Sequence, residues 1–339
     1  MPDHACQNGI VSNRFSVSDY LRSNRRPMIY WLALIRFIHL AASILLVAVY
    51  AFLLIVLAPA ITSERGRMDL SGNRGAFARL AFVSWMIVIC SGFAWFWLVA
   101  VSIDGGTSWF APSPETLWLF VFHTQFGQLW LFRFGCCLVL GVMFLRGSRD
   151  SIKASLTAVV LASLAVAGHA GASASKAGLL ALVGDFGHLV TAALWPGGLV
   201  PLSTFLRAEC QVAGNGNWSL VTRVTQRFSA LSLAAVAFLA ATGILNAYFV
   251  VGSFHGLWAT NYGRLLLVKI GLFLLMIGFG AWNLIVLKPE IICLGLMSQQ
   301  GLPPRPITLL IRNVICETAL AACVLLVVGF LGVTSPPMN

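Results

Sequence analysis

Long apolar stretches constrain this chain more than any other feature. A helix that crosses a bilayer needs about 20 mainly apolar residues, and the sequence contains eight stretches of that kind. They cover residues 30–58, 79–102, 125–146, 153–171, 186–206, 228–251, 262–287 and 308–333. Inside a bilayer the backbone has no water to bind, so such stretches fold as helices. The sequence therefore predicts an all-α integral membrane protein with eight transmembrane helices.

The composition leaves little room for anything outside the membrane. Hydrophobic residues make up 59% of the 339 residues and charged residues 10%, whereas a soluble domain carries about 25% charged residues. We expect one transmembrane domain at 29–333, between a polar, disordered tail at 1–28 and a short tail at 334–339. Met28 opens the first apolar stretch directly and is an alternative start to Met1.

Local patterns recur in the two halves of the chain. A histidine stands near the start of spans one and five, a hydroxyl-Gly pair lies inside spans two and six, and a T-x-[FY]-G motif followed by a basic residue opens spans three and seven. The pairs are His39 and His188, Ser91-Gly92 and Thr242-Gly243, and Thr124 to Arg133 and Thr260 to Lys269. We predict two four-helix repeats, about 29–171 and 185–333. Four helices are an even number, so the repeats share one orientation and are related by an axis along the membrane normal.

With eight spans, five histidines reach the same side of the membrane, which we call the histidine face. Odd-numbered spans begin on this face and even-numbered spans end on it. Its histidines are His39, His123, His169, His188 and His255.

The loops on the opposite side carry most of the basic residues. They are Arg65, Arg67, Arg74, Arg79, Arg146, Arg149, Lys153, Arg207, Arg223, Arg227, Lys288, Arg305 and Arg312. Cytoplasmic loops are enriched in Lys and Arg. The distribution predicts basic loops in the cytoplasm and a histidine face on the periplasmic side.

Neutral imidazole binds copper, zinc, iron and nickel, so a face rich in histidine suggests a metal site. His39, His169 and His188 are the strongest candidates, because each lies within about two helical turns of a span end. Asp185 stands one turn before His188 and is a candidate to orient that ring or to attract a cation. Further candidate ligands are His123 and His255. The alternative is that these histidines only bond to carbonyls or headgroups.

Charged residues inside spans are the second candidate feature. Arg133 and Lys269 occupy equivalent positions in the two repeats, and Glu317 lies within span eight. A charge at the bilayer centre is costly and usually faces the bundle interior. From the depths of these residues we predict that Glu317 pairs with Lys269 or Arg133. Such a pair either lines an ion path or only locks helices together.

These motifs resemble the copper resistance protein D (CopD) family. The matching segments are Ile35 to His39, Gly168 to Ala170, His188 to Gly198, Thr242 to Asn246, Thr260 to Lys269, and Glu317. Pro196 departs from the family pattern, which has an apolar residue there. The resemblance implies copper passage or copper handling at the bacterial inner membrane, with His39, His169 and His188 as metal ligands and Trp195, Gly197 and Gly198 as site scaffold. It also implies a periplasmic partner that resembles the copper carrier CopC.

Two other functions stay open. The first is a haem-binding electron carrier, in which helix histidines such as His39 and His188 are axial ligands. The second is an assembly partner that binds no metal. The sequence has no nucleophile–base arrangement and no phosphate-binding loop, so we do not expect an enzyme.

Overall fold

The computed structural model describes residues 17–61, 64–103, 112–166, 176–211, 217–251, 254–296 and 305–335. Within these ranges the chain is helical and contains no β-strand. The α-helices are α1 Val17–Ala51, α2 Ala58–Ala60, α3 Glu64–Ile103, α4 Pro114–His123, α5 Gln125–Leu145, α6 Asp150–Val166, α7 Lys176–Ala192, α8 Leu199–Gln211, α9 Trp218–Val251, α10 Phe254–Ala259, α11 Asn261–Trp282, α12 Lys288–Leu296 and α13 Arg305–Leu331. Three π-helical segments extend α1, α7 and α11, namely Phe52–Leu57, Ala193–Gly197 and Asn283–Leu287.

Seven helices in the described part of the chain are long and apolar enough to cross a membrane. They are Met28–Ala60, Arg74–Ile103, Gln125–Leu145, Leu182–Gln211, Trp218–Tyr248, Asn261–Cys293 and Arg305–Leu331. The all-α membrane class predicted from the sequence is therefore confirmed. The predicted span at 153–171 overlaps α6, which is described over 17 residues, and the rest of that span lies outside the described residues.

Spans one and five form the centre of the bundle. Of their most apolar windows, 67% and 56% of the residues are buried, against 11–33% for the other five spans. A Cβ at Gly197 would lie 2.8 Å from Ile44 Cγ2 and 3.0 Å from Ala48 Cβ. Close packing of these two helices therefore requires glycine at this position.

The T-x-[FY]-G motifs form the same local structure in both halves. Thr124 and Thr260 cap α5 and α11, each accepting a hydrogen bond of 3.0 Å from the glycine N–H three residues later. Such a cap satisfies one of the unpaired N–H groups of the first turn. In both cases a short helix, α4 or α10, leads into the cap.

The first helix is longer than the first apolar stretch. α1 already begins at Val17, inside the segment expected to be a disordered tail. Residues 1–16 lie outside the described part of the chain.

Candidate metal site

His39 is enclosed within the first half of the chain. Its Nδ1 lies 3.1 Å from Ser91 Oγ on α3. The ring centroid is 5.5 Å from that of Trp95 and 5.2 Å from that of Trp130. The residue is 1% exposed, and its buried Nε2 has no hydrogen-bond partner. The imidazole therefore makes its polar contact through one nitrogen only.

His188 repeats this arrangement in the second half. Its Nδ1 lies 2.9 Å from Thr242 Oγ1 on α9. A Cβ on the following residue, Gly243, would lie 3.7 Å from His188 Cε1, and Gly92 stands in the same relation to His39 at 3.3 Å. Glycine is needed beside His39, where a Cβ would also lie 2.9 Å from Trp130 Cζ3, whereas a Cβ at Gly243 would make only an ordinary contact with the imidazole.

The hydroxyl groups determine which ring nitrogen carries the proton. Ser91 donates its hydroxyl proton to the carbonyl of Ile87, and Thr242 donates its own to that of Phe238. A hydroxyl has one proton to donate. In its contact with the histidine, the hydroxyl oxygen is therefore the hydrogen-bond acceptor. Nδ1 is then the N–H donor, and Nε2 keeps its lone pair. A metal-binding histidine is held in the same way, with its second nitrogen donating to an outer partner.

The two halves differ in the residues around this shared core. Three residues before the histidine, the first half has Arg36 and the second has Asp185. Four residues after the hydroxyl, the first half has Trp95 and the second has Asn246. The Arg36 guanidinium lies 4.7 Å from the Trp95 ring centroid. At the equivalent place Asn246 Nδ2 donates to Asp185 Oδ1 at 2.7 Å.

The same contrast continues on the next helix. Phe126 and Trp130 of the first half contact each other at a centroid distance of 5.8 Å. Their sequence equivalents after the capping threonine are Tyr262 and Leu266. The imidazole of the first half is thus surrounded by aromatic rings, whereas partly buried His188 has polar neighbours and is the more accessible of the two.

The other predicted ligands do not join these two rings in the described structure. His123 and His255 are exposed, on α4 and α10 respectively, and His169 lies outside the described residues. No group of three His, Cys, Asp or Glu side chains suited to a metal occurs among the residues that are described. His39 contacts α3 and α5, and His188 contacts α9, so each ring is held within its own half of the chain.

Asp185 is bonded to Asn246 on the neighbouring helix α9. The contact at Nδ1 of His188 is made by Thr242, and the Asp185 carboxylate accepts from Asn246. Lys269 lies within electrostatic range of both Asp185 and His188. The second site therefore combines an imidazole, a carboxylate and an ammonium group.

The predicted ion pair of Glu317 with Lys269 or Arg133 is not formed. Within the described structure none of the three makes an ion pair. Arg133 instead donates from Nε to Ser163 Oγ at 2.7 Å and from Nη2 to Ser163 O. Glu317 accepts from Asn283, which lies about 21 Å along the helix from Lys269 at 1.5 Å per residue. The depth estimate was wrong because span seven continues to Cys293.

Glu317 is buried inside the bundle at 2% exposure. Asn283 Nδ2 donates to Glu317 Oε1 at 2.6 Å, and Asn313 Nδ2 donates to Asn283 Oδ1 at 2.8 Å. A row of two amides and one carboxyl group therefore connects α13 with the π-helical segment Asn283–Leu287.

The residues expected to form the site scaffold hold the central helices together. Trp195 is 2% exposed and packs edge-on against Phe273, with ring centroids 6.0 Å apart. A Cβ at Gly198 would lie 2.8 Å from Phe228 Cε2. Gly198, like Gly197, must therefore be glycine because a neighbouring side chain leaves no room for a Cβ. Pro196 lies within the π-helical segment Ala193–Gly197.

Several residues of the site were missed by sequence reasoning. Ser91 and Thr242 were noted as a repeat but not as histidine partners. Their signal was available, because one hydroxyl residue recurs in each half at a similar distance from the histidine. Asn246 and Asn283 carry a weaker signal, as amides in otherwise apolar stretches.

These features define a multi-pass helical membrane protein in which each half holds one imidazole bonded through Nδ1 to a hydroxyl group. The sequence profile for the copper resistance protein D-like N-terminal domain matches residues 27–179, and the profile for copper resistance protein D matches residues 222–331. The chain belongs to the copper resistance protein D family. The family resemblance drawn from the sequence is therefore confirmed.

Three relatives show how far the similarity extends. Copper transport protein CutJ of Bacillus subtilis is 29% identical over 57% of this chain. Copper resistance protein D of Pseudomonas syringae pv. tomato is 27% identical over 71% of it, and inner membrane protein YebZ of Escherichia coli is 31% identical over 55%. The matches cover 36%, 78% and 63% of these relatives' own lengths. No solved structure matches the chain.

Proposed function

We propose that this protein transports copper ions across the bacterial inner membrane through a histidine-lined site on its periplasmic face, and so contributes to copper uptake, homeostasis or resistance. The observation that carries the proposal is the repeated histidine–hydroxyl pair, which leaves Nε2 of His39 and His188 free as a ligand. Family membership indicates that the metal is copper, because copper appears in the names of the matched profiles and of two relatives.

Copper reaches His188 first in this proposal. His188 is the more accessible imidazole, and the nearby Asp185 carboxylate attracts a cation. His39, in its aromatic enclosure, is the second ligand position, and His169 is a further ligand close to the end of span four. His123 and His255 are exposed first contacts for ions arriving at the histidine face.

The membrane arrangement belongs to the same proposal. Eight spans form two parallel four-helix repeats, with α6 as part of the fourth span. The paired caps and the paired histidine–hydroxyl contacts support the repeats. The basic loops are cytoplasmic, and a periplasmic copper carrier similar to CopC delivers the ion.

The interior charges mark the route below the histidines. Glu317 lines its lower part, while Lys269 and Arg133 lie within electrostatic range of His188 and His39 respectively. Trp195, Gly197 and Gly198 hold spans one and five together around this route.

The haem alternative has less support from the geometry. His39 is 1% exposed and has two tryptophan rings packed against it, so a porphyrin does not fit beside this ring without displacing them. An absorption spectrum of the purified protein distinguishes the two functions, because bound haem gives a Soret band.

Copper uptake into proteoliposomes tests the transport proposal. We expect the unchanged protein to accumulate copper inside the vesicles, and His188→Ala to abolish uptake without reducing the amount of inserted protein. Glu115→Gln, which alters an exposed acidic residue on α4, is the matched control and is expected to keep normal uptake. Equal uptake by His188→Ala and the unchanged protein would refute the proposed site.

A further inference from the structure

A cavity of about 160 Å³ lies beside Glu317, between α9, α11, α13 and the segment around Trp195. Most of its lining is apolar, but Glu317, Asn283, Thr225 and Ser232 contribute polar atoms. Since water occupies about 30 Å³ per molecule in the liquid, the volume is sufficient for several water molecules. None of the histidines lines this cavity.

Two hydroxyl groups of the cavity lack hydrogen-bond partners. Thr225 is 6% exposed, and both Thr225 Oγ1 and Ser232 Oγ are buried without a partner. The two residues stand seven apart on α9, which places them on one face of that helix. An unpaired buried hydroxyl costs free energy unless water satisfies it, so both groups indicate bound water.

The carboxyl group of Glu317 has one oxygen free on the same side. Oε1 accepts from Asn283. Oε2 faces the space above Gly280, where a Cβ would lie 3.8 Å away. Gly280 and Glu317 both line the cavity, so this carboxyl oxygen lies at the cavity wall.

No cation compensates this buried carboxyl group in the described structure. Among the residues that line the cavity, Glu317 is the one acid or base, because the side chains that face it from the other helices are neutral. These polar neighbours are Thr225, Ser229 and Ser232 on α9 and Asn283 on span seven, and Asn313 stands behind Asn283. An isolated buried carboxylate is very costly, and such a group neutralises instead.

We propose that Glu317 is a proton-binding site, loaded and unloaded through water held by the Thr225 and Ser232 hydroxyls. A proton from this water adds to Oε2 of the carboxylate and gives the carboxylic acid, and release returns it to the water. Asn283 and Asn313 fix the carboxyl group in place in both states. Glu317 also lines the lower part of the proposed copper route, so the site would link copper movement to proton movement, and that link rests on the proposed function.

The donor set argues against a metal ion as the ligand. The free groups are oxygens, which suit hard cations and not copper in its soft Cu(I) form. A sodium ion would also need several oxygen ligands, and Asn283 directs its N–H toward the carboxyl while its own oxygen is occupied by Asn313. One carboxyl oxygen and two hydroxyls are a sufficient set for a proton and its water.

Infrared difference spectroscopy of the protein in liposomes tests this site directly. Between acidic and alkaline pH we expect a carbonyl band of one protonated carboxylic acid that shifts in heavy water. Glu317→Gln should lose this band, while Glu290→Gln, which alters an exposed glutamate on α12, should keep it. Persistence of the full band in Glu317→Gln would overturn the assignment.

The role of the cavity water has its own test. In the double variant Thr225→Val and Ser232→Ala the band should remain, but its exchange in heavy water should become several-fold slower. An unchanged exchange rate would refute the water path.

A second variant covers the case in which Glu317→Gln fails to insert into the membrane. In Glu317→Asp the carboxylic acid band should persist at a shifted frequency, and an unshifted band would contradict the assignment to Glu317. Carboxylate bands that respond to sodium instead of pH would show a sodium site and overturn the proposal.

Discussion

Removing the Thr242 hydroxyl tests how the second histidine is prepared for a metal. Thr242→Val keeps the size of the side chain but removes the acceptor 2.9 Å from His188 Nδ1. Thr242 also donates to Phe238 O, whose carbonyl keeps its ordinary helical bond, so the helix should be unaffected. The ring is then free to rotate and to move its proton to Nε2, which would block the ligand position.

The expected loss follows from the known cost of such changes. Removing an outer partner of a metal-binding histidine weakens metal affinity about 10–100-fold, which corresponds to about 1.4–2.7 kcal/mol. Competition between the purified protein and a coloured Cu(I) chelator measures it. Thr242→Ser, which restores a hydroxyl, should recover most of the affinity. Unchanged affinity in Thr242→Val, alongside a loss in His188→Ala, would refute the reasoning.

Three further predictions concern packing, the repeats and orientation. Gly197→Val should destabilise the fold by about 1–3 kcal/mol, because the added methyl groups overpack spans one and five, and should reduce the yield of folded protein. Thr124→Ala and Thr260→Ala should each cost about 1 kcal/mol in detergent-induced unfolding, because equivalent caps are lost. In a cysteine-free chain, Ser108→Cys should react with an impermeant thiol reagent in intact cells, whereas Gly216→Cys should react only after cell lysis.

Each of these has a control and a contradicting result. Gly278→Val is the packing control, since a Cβ there meets nothing within 4 Å; equal losses at both glycines would contradict the packing argument. Serine at either capping threonine should restore stability, and clearly unequal losses for the two alanine variants would count against equivalent repeats. The reverse labelling pattern at Ser108 and Gly216 would invert the topology.

The sequence was sufficient to predict the elements that depend on local signals. Long apolar stretches located seven membrane helices. The T-x-[FY]-G motif marked the starts of spans three and seven at Thr124 and Thr260, which the structure shows to be capped. The recurrence of His39 and His188 at the starts of spans one and five indicated two related halves. Each of these signals lies within one helix or one repeat.

Features that depend on helix rotation and depth were not predictable in the same way. Glu317 was assigned a partner by depth alone, but the actual contact with Asn283 depends on the length of span seven and on which side of α13 faces it. The π-helical segments Ala193–Gly197 and Asn283–Leu287 change which side of the helix faces the bundle interior, and no clear sequence signal predicts them. Each imidazole points into its own half of the chain. This direction also depends on how the helices pack, so it could not be predicted from the sequence.

The central claim is that copper binds at Nε2 of the second histidine. A crystal of the copper-loaded protein, measured on both sides of the copper absorption edge, locates the metal directly. We expect an anomalous peak about 2 Å from His188 Nε2, the usual length of a bond between imidazole and such a metal, with Nδ1 still bonded to Thr242. A peak at Nδ1, or copper bound only at sites without His188, would contradict the account.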